Sequence, residues 1–139
     1  MKILVSACLL GHNCKYSGGN NLDEKVVAFL QGHQVIPVCP EKVLGIPRVP
    51  MEIVGGVLIN KDGVVVDEPV RRAVEKIVAE NRDADMAILK SRSPTCGVKQ
   101  VYDGTFSGKL TDGAGVLAQA LQEAGIRTID AEEIENEGI

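Results

Sequence analysis

A parallel β-sheet covered by helices on both faces, with a β-hairpin added to it, is the fold class this sequence predicts. Four short apolar runs, Lys2 to Ala7, Gln34 to Val38, Met86 to Lys90 and Ile126 to Ile129, lack polar alternation, as strands buried on both faces require. Segments with apolar residues at spacings of three and four separate them, which makes the chain a succession of strand–helix–strand units with right-handed crossovers. With 139 residues the chain has room for one hydrophobic core and not for two, so a single α/β domain over 1–139 is expected.

In chain order, Lys2 to Ala7 is the first strand. Leu22 to Gln31 follows as a short helix, with Val26, Val27, Phe29 and Leu30 opposite its charges and Gly32 where a helix commonly stops. Gln34 to Val38 is the second strand, and Pro37 near its end suits a strand leaving the sheet. Glu41 to Glu52, with Pro47 and Pro50 and no period, reads as a loop. Gly56 to Asn60 and Val64 to Asp67, joined by Lys61-Asp62-Gly63, read as the hairpin. Pro69 opens the clearest helix, whose Val70, Ala73, Val74, Ile77 and Val78 share one face. Met86 to Lys90 is the third sheet strand, and Ser91 to Leu110 reads as a loop. Asp112 is expected to cap a helix striped by Leu117, Ala120, Leu121 and Ala124 and ending at Gly125, before the strand Ile126 to Ile129 and a terminal helix from Ala131.

Composition narrows the function classes. At 45% apolar and 24% charged residues, with no unbroken apolar stretch of spanning length, the chain reads as soluble with no membrane segment. A formal net charge of −4, scattered basic residues and only 3% aromatics leave neither a phosphate-binding face nor base-stacking platforms, so nucleic acid is not expected and a small-molecule partner is. The apolar start before Cys8 is too short for a secretory signal, and a cytoplasmic location is expected. Nothing in the pattern sets an oligomeric state.

In a reducing cytoplasm the four cysteines would be buried small hydrophobes, reactive thiols or metal ligands rather than disulfides. Cys8 follows the first strand, Cys39 follows the second, and Cys96 lies in the loop after the third. Parallel α/β sheets bind ligands beyond the carboxyl ends of their strands, so three separate loops can bring these thiols to one point. The paired spacing of a zinc finger is absent. Gly11, Gly18 and Gly19 follow Cys8, Gly45 follows Cys39 and Gly97 adjoins Cys96, allowing close backbone approach to a bulky group, while Pro40 and Pro94 stiffen two of the loops. Against this stand plainer readings: a single Cys at a strand end is ordinarily packing, a loop glutamate ordinarily a solvated charge, and His12 and His33 are expected to face solvent.

The segments Ser6-Ala7-Cys8-Leu9-Leu10-Gly11, Tyr16 with Gly18 and Gly19, Pro37-Val38-Cys39-Pro40-Glu41, Pro47-Arg48, Leu89-Lys90 through Gly97, and Tyr102-Asp103-Gly104-Thr105-Phe106 span nearly the whole chain. Together they resemble the domain-of-unknown-function family 523, whose assigned activity is thiouracil desulfuration. The resemblance implies a three-layer Rossmann-like fold binding a 4Fe-4S cluster through three cysteines, with the fourth iron open. Carried over position by position, it implies Cys8, Cys39 and Cys96 as ligands and Glu41 and Ser93 as an acid/base pair. Cys14 lies outside that set, although it could exchange with Cys8. The usual Gly-Asp-Val-Thr pattern is missing around Val64 to Val70, which leaves the substrate open.

The implied chemistry is non-redox desulfuration of a thiolated nucleobase such as 2-thiouracil. The open iron takes the thiocarbonyl sulfur, water attacks the carbon, and Glu41 and Ser93 activate water, relay a proton or attack as nucleophile. Arg48, beside Pro47 in a site loop, is a candidate contact for an anionic substrate group. Oxygen is expected to strip such a cluster from protein purified in air. Two alternatives use the same cysteines: a non-catalytic zinc or small-ligand module, and a sulfur carrier with a persulfide on one low-pKa thiol.

Overall fold

The computed structural model describes residues 1–12, 20–42 and 49–136. Its elements follow the order β1 (Lys2–Ser6), α1 (Glu24–Phe29), β2 (Gln34–Val38), β3 (Met51–Val54), β4 (Val57–Asn60), α2 (Asp67–Glu80), β5 (Met86–Leu89), β6 (Gln100–Tyr102), β7 (Leu110–Asp112), α3 (Val116–Glu123) and β8 (Arg127–Asp130), with 3₁₀ segments at Ala7–Leu10 and Ala131–Asn136.

The main sheet is parallel throughout, in the order β2-β1-β5-β8. Successive side chains alternate between its faces. Leu4, Ala87 and Leu89 pack with Val70, Val74 and Val78 of α2 and Leu117, Ala118 and Leu121 of α3. Ile3, Val5, Met86, Ile88 and Ile129 pack on the other side with Val26 of α1 and Ile134 of the terminal 3₁₀ segment. Both faces of β5 are buried, which is why its sequence is apolar without alternation. Three layers result, as expected. Pro37 sits on the edge strand β2 opposite Val5, where its missing N–H interrupts no ladder.

Local chemistry fixes the helices. The Asp23 side chain accepts from the backbone N–H groups of Lys25 and Val26 at 3.0 and 3.2 Å and caps α1. In α2, Val70, Val74 and Val78 recur every four residues on the buried face, each fully buried side chain being worth roughly 1.5–3 kcal/mol. Asp67 and Glu68 place negative charge on its first turn.

Three local expectations are corrected. The principal hairpin is β3–β4, closed by Gly55-Gly56, both at positive φ, so its first strand occupies the end of the segment read as a loop. The expected partner, Val64 to Asp67, makes only a brief return on β4 through the isolated Ile59–Val65 bridge. Asn60 explains this: its Oδ1 accepts from the N–H groups of Asp62 and Val64, both at 2.9 Å, turning the chain sharply before α2 begins at Asp67. Second, the segment 91–110 is not all loop, because β6 pairs antiparallel with β7. Third, Asp112 lies in β7, and Gly115 stands at the N-cap of α3. Strand β7 is exposed along its whole length, so no apolar periodicity marked it.

Candidate active site

The strand order reverses between β1 and β5: the connection after β1 leads outward to β2, and the one after β2 returns past β1 to β5. At such a switch point the loops after neighbouring strands part and leave a crevice. Cys8, in the 3₁₀ segment directly after β1, Cys39, directly after β2, and Cys96, between β5 and α3, all line one cavity there of about 700 Å³. That volume lies within the roughly 300–1,000 Å³ common for small-molecule sites.

The loop after β5 is held from three sides. At its start, the Lys90 N–H donates to Ser6 Oγ at 2.9 Å, tying β5 to the end of β1. Arg92 adopts φ 63°, an unusual conformation for a non-glycine residue, and its Nη2 donates to both carboxylate oxygens of Glu132 at 2.6 and 2.7 Å. At the far end, the N–H groups of Val116 and Leu117 donate to the carbonyls of Pro94 and Thr95 at 3.1 and 2.8 Å, so the first turn of α3 is satisfied by this loop instead of by a side-chain cap.

Within the loop, Ser93 Oγ accepts from the backbone N–H groups of Thr95 at 3.2 Å and Cys96 at 3.1 Å. Its own hydrogen is directed at Glu41 Oε2, 3.1 Å away. Thr95 is fully buried, and its Oγ1 lies 2.7 Å from the same Glu41 oxygen, 3.1 Å from Ser93 Oγ and 3.7 Å from Cys96 Sγ. A carboxylate, two hydroxyls and a thiol therefore form one connected group across the loops after β2 and β5.

Burial pushes the Cys96 thiol up to about 11; a hydrogen bond from Ser6 opposes this, whereas the nearby Glu41 and Cys8 reinforce it. Cys8 and Cys39 are half-buried. Among the described residues, no three His, Cys, Asp or Glu side chains stand close enough to share one metal ion. Three thiols arranged around a cavity fit a different group: an iron-sulfur cluster takes each thiolate on its own iron and favours soft sulfur donors.

The structure thus brings together Cys8, Cys39, Cys96, Glu41 and Ser93. Cys14 and Arg48, with Tyr16, Gly18, Gly19, Gly45 and Pro47, lie outside the described residues. His12 is exposed as expected, but His33 is half-buried, accepts the terminal amine of Met1 within hydrogen-bond distance at 3.0 Å and stacks on Phe29. Sequence reasoning passed over Ser6, Thr95 and Glu52, all on the cavity wall. Thr95 sat inside a quoted motif beside Cys96, and Ser6 two residues before Cys8; a hydroxyl that near an expected ligand was the available signal.

Fold and site define an α/β protein whose cysteine-lined cavity opens at the switch point of a parallel sheet. The chain belongs to the 2-thiouracil desulfurase family, whose model matches residues 3–133. It is 36% identical over 146 residues to the uncharacterized protein YbbK of Bacillus subtilis (strain 168), covering 95% of this chain and 97% of that one. Its structure is similar to that of the 4Fe-4S-dependent thiouracil desulfidase TudS, with a TM-score of 0.87 and 29% identity over 97% of this chain and 93% of that one.

Proposed function

We propose that this protein is a hydrolytic, non-redox thiouracil desulfidase in which Cys8, Cys39 and Cys96 hold a 4Fe-4S cluster and Glu41 with Ser93 moves protons. The observation that carries this reading is the meeting of three thiols from three loops with a carboxylate and its hydroxyl partners around one cavity of about 700 Å³, in a chain of this family. When bound, the cluster supplies an open iron, a soft Lewis acid that takes the thiocarbonyl sulfur and polarises the carbon-sulfur bond. In the net reaction water forms the new carbon-oxygen bond, the carbon-sulfur bond breaks, sulfur leaves as hydrosulfide, and no electrons are exchanged.

The chain's own residues supply the proton steps. Glu41, two residues beyond Cys39, is the group placed to take a proton from the attacking water. Ser93 acts as a relay instead of a nucleophile, because two backbone N–H groups occupy its lone pairs and leave its hydrogen toward Glu41.

Protein made and reconstituted without air is expected to be brown, to bind about four irons per chain and to release sulfide from 2-thiouracil. Glu41→Ala is expected to keep its iron and lose about a hundredfold or more in turnover, in line with a general base. Undiminished turnover in that variant would remove Glu41 from the proton path, and zinc in place of iron would return the site to a structural role.

A further inference from the structure

Glu52 takes no part in the reaction described above, yet it lines the same cavity. It sits in β3 and is only 9% exposed. One of its oxygens, Oε1, accepts the backbone N–H groups of Gly104 and Phe106 at 2.9 and 3.2 Å. The other, Oε2, has no hydrogen-bond partner among the described residues. Among those residues the one fully enclosed side-chain polar atom without a partner is Nδ2 of Asn60, so Oε2 keeps contact with open space. The cavity is the space Glu52 lines. An acceptor that faces the cavity with an open lone pair is placed to meet a donor on a ligand bound there.

The loop that Glu52 anchors carries a second, independent feature. It joins β6 to β7 and brings Tyr102 and Phe106 to the cavity wall. The chain has only two Tyr, two Phe and no Trp, and two of these four rings lie on this one wall. Phe106 holds φ 55°, and a Cβ at Gly104 would stand 2.6 Å from the Ile53 carbonyl oxygen, so the loop is pressed against β3 in a defined shape. Two aromatic faces beside an open acceptor match a planar heterocycle with a ring N–H.

The geometry points to Glu52 as the specificity residue of the cavity: its Oε2 accepts a ring N–H of the thiolated heterocycle, while Tyr102 and Phe106 pack on the ring faces. This deepens the desulfidase reading and rests on it for the substrate class. The recognised fragment, an N–H beside a carbonyl or thiocarbonyl, persists in the product, so binding can be read without chemistry.

The test titrates uracil and 1,3-dimethyluracil, which lacks both ring N–H groups, into anaerobically reconstituted protein by calorimetry. The parent is expected to prefer uracil by about ten- to hundredfold, the range for losing a hydrogen bond to a carboxyl acceptor in a binding site. Glu52→Gln keeps an oxygen for Gly104 and Phe106 and turns the cavity-facing atom from acceptor to donor. It is expected to weaken uracil by a similar factor, leave 1,3-dimethyluracil within about threefold, and so abolish the preference. Equal binding of the two compounds to the parent overturns the proposal without any variant, as does a parent that binds no uracil. A preference that persists in Glu52→Gln also overturns it, since the methyl groups would then clash elsewhere. Sulfide release from 2-thiouracil is measured on the same samples; its absence alongside the expected discrimination counts against the desulfidase reading and leaves recognition by Glu52 standing.

Discussion

Of the two hydroxyls that reach Glu41 Oε2, Thr95 Oγ1 is the closer, at 2.7 Å against 3.1 Å for Ser93 Oγ, although only Ser93 was singled out from the sequence. A hydroxyl has one hydrogen to give, and Thr95 Oγ1 has both Glu41 Oε2, at 2.7 Å, and Cys96 Sγ, at 3.7 Å, within reach. The shorter contact takes it, and Thr95 then holds the carboxylate in place for Ser93. Thr95→Val preserves shape in a fully buried site and removes only the hydroxyl. It is expected to lower kcat about ten- to hundredfold with little change in KM, whereas Thr95→Ser should stay within about threefold of the parent. Iron content should match the parent in both. A Val variant at full kcat would make Thr95 a packing residue only. At this scale the sequence made the positions of the cysteines legible, because strand ends are readable from apolar runs. It did not reveal Thr95 or Glu52, since a hydrogen bond between residues 41 and 95, or between 52 and 104, is set by tertiary approach and leaves no spacing to count.

At the scale of elements, the loop after β5 and helix α3 are one unit. The first N–H groups of α3 donate to the carbonyls of Pro94 and Thr95, and Gly115 N–H donates to the Gly97 carbonyl at 2.8 Å. This approach requires glycine: a Cβ at residue 115 would lie 2.4 Å from the Thr95 carbonyl carbon and 2.5 Å from its oxygen. Neither backbone can yield without moving Ser93 and Cys96. Gly115→Ala is therefore expected to destabilise the protein by about 2 kcal/mol or more in urea unfolding, and to lower desulfuration even where the chain stays folded. Unchanged stability in this variant would show that the loop and the helix are not rigidly joined. The sequence reading placed a cap at Asp112 because side-chain caps are what residue types announce; a helix capped by the backbone of a distant loop has no such signature. The hairpin reading was incomplete for a related reason: both Gly55-Gly56 and Asp62-Gly63 turn the chain, and only packing decided that the first closes a full ladder and the second a single bridge.

At the scale of the whole molecule, the alternation of strands and helices made a parallel sheet legible, but its order β2-β1-β5-β8, and with it the switch point between β1 and β5, is set by packing. The three cysteines stand on loops leaving β1, β2 and β5, three adjacent strands of the sheet, yet they are widely separated along the chain. A group bound to all three would join these loops in the native state and would have no comparable site in the unfolded chain, so its binding energy adds to folding. Removing iron with a chelator under anaerobic conditions is expected to lower the melting temperature by about 5 °C or more, since roughly 1 kcal/mol shifts a chain of this size by a few degrees. Cys96→Ser should melt like the iron-free parent and show no response to iron. Its far-UV circular dichroism should be native, because the core on either side of the sheet is built from Leu4, Ala87 and Leu89 on one face and Ile3, Val5 and Ile88 on the other, and it stands without the cluster. An unfolded Cys96→Ser protein would instead mean that the site is a structural staple, and iron-independent melting of the parent would mean that the three loops are already locked by their own hydrogen bonds.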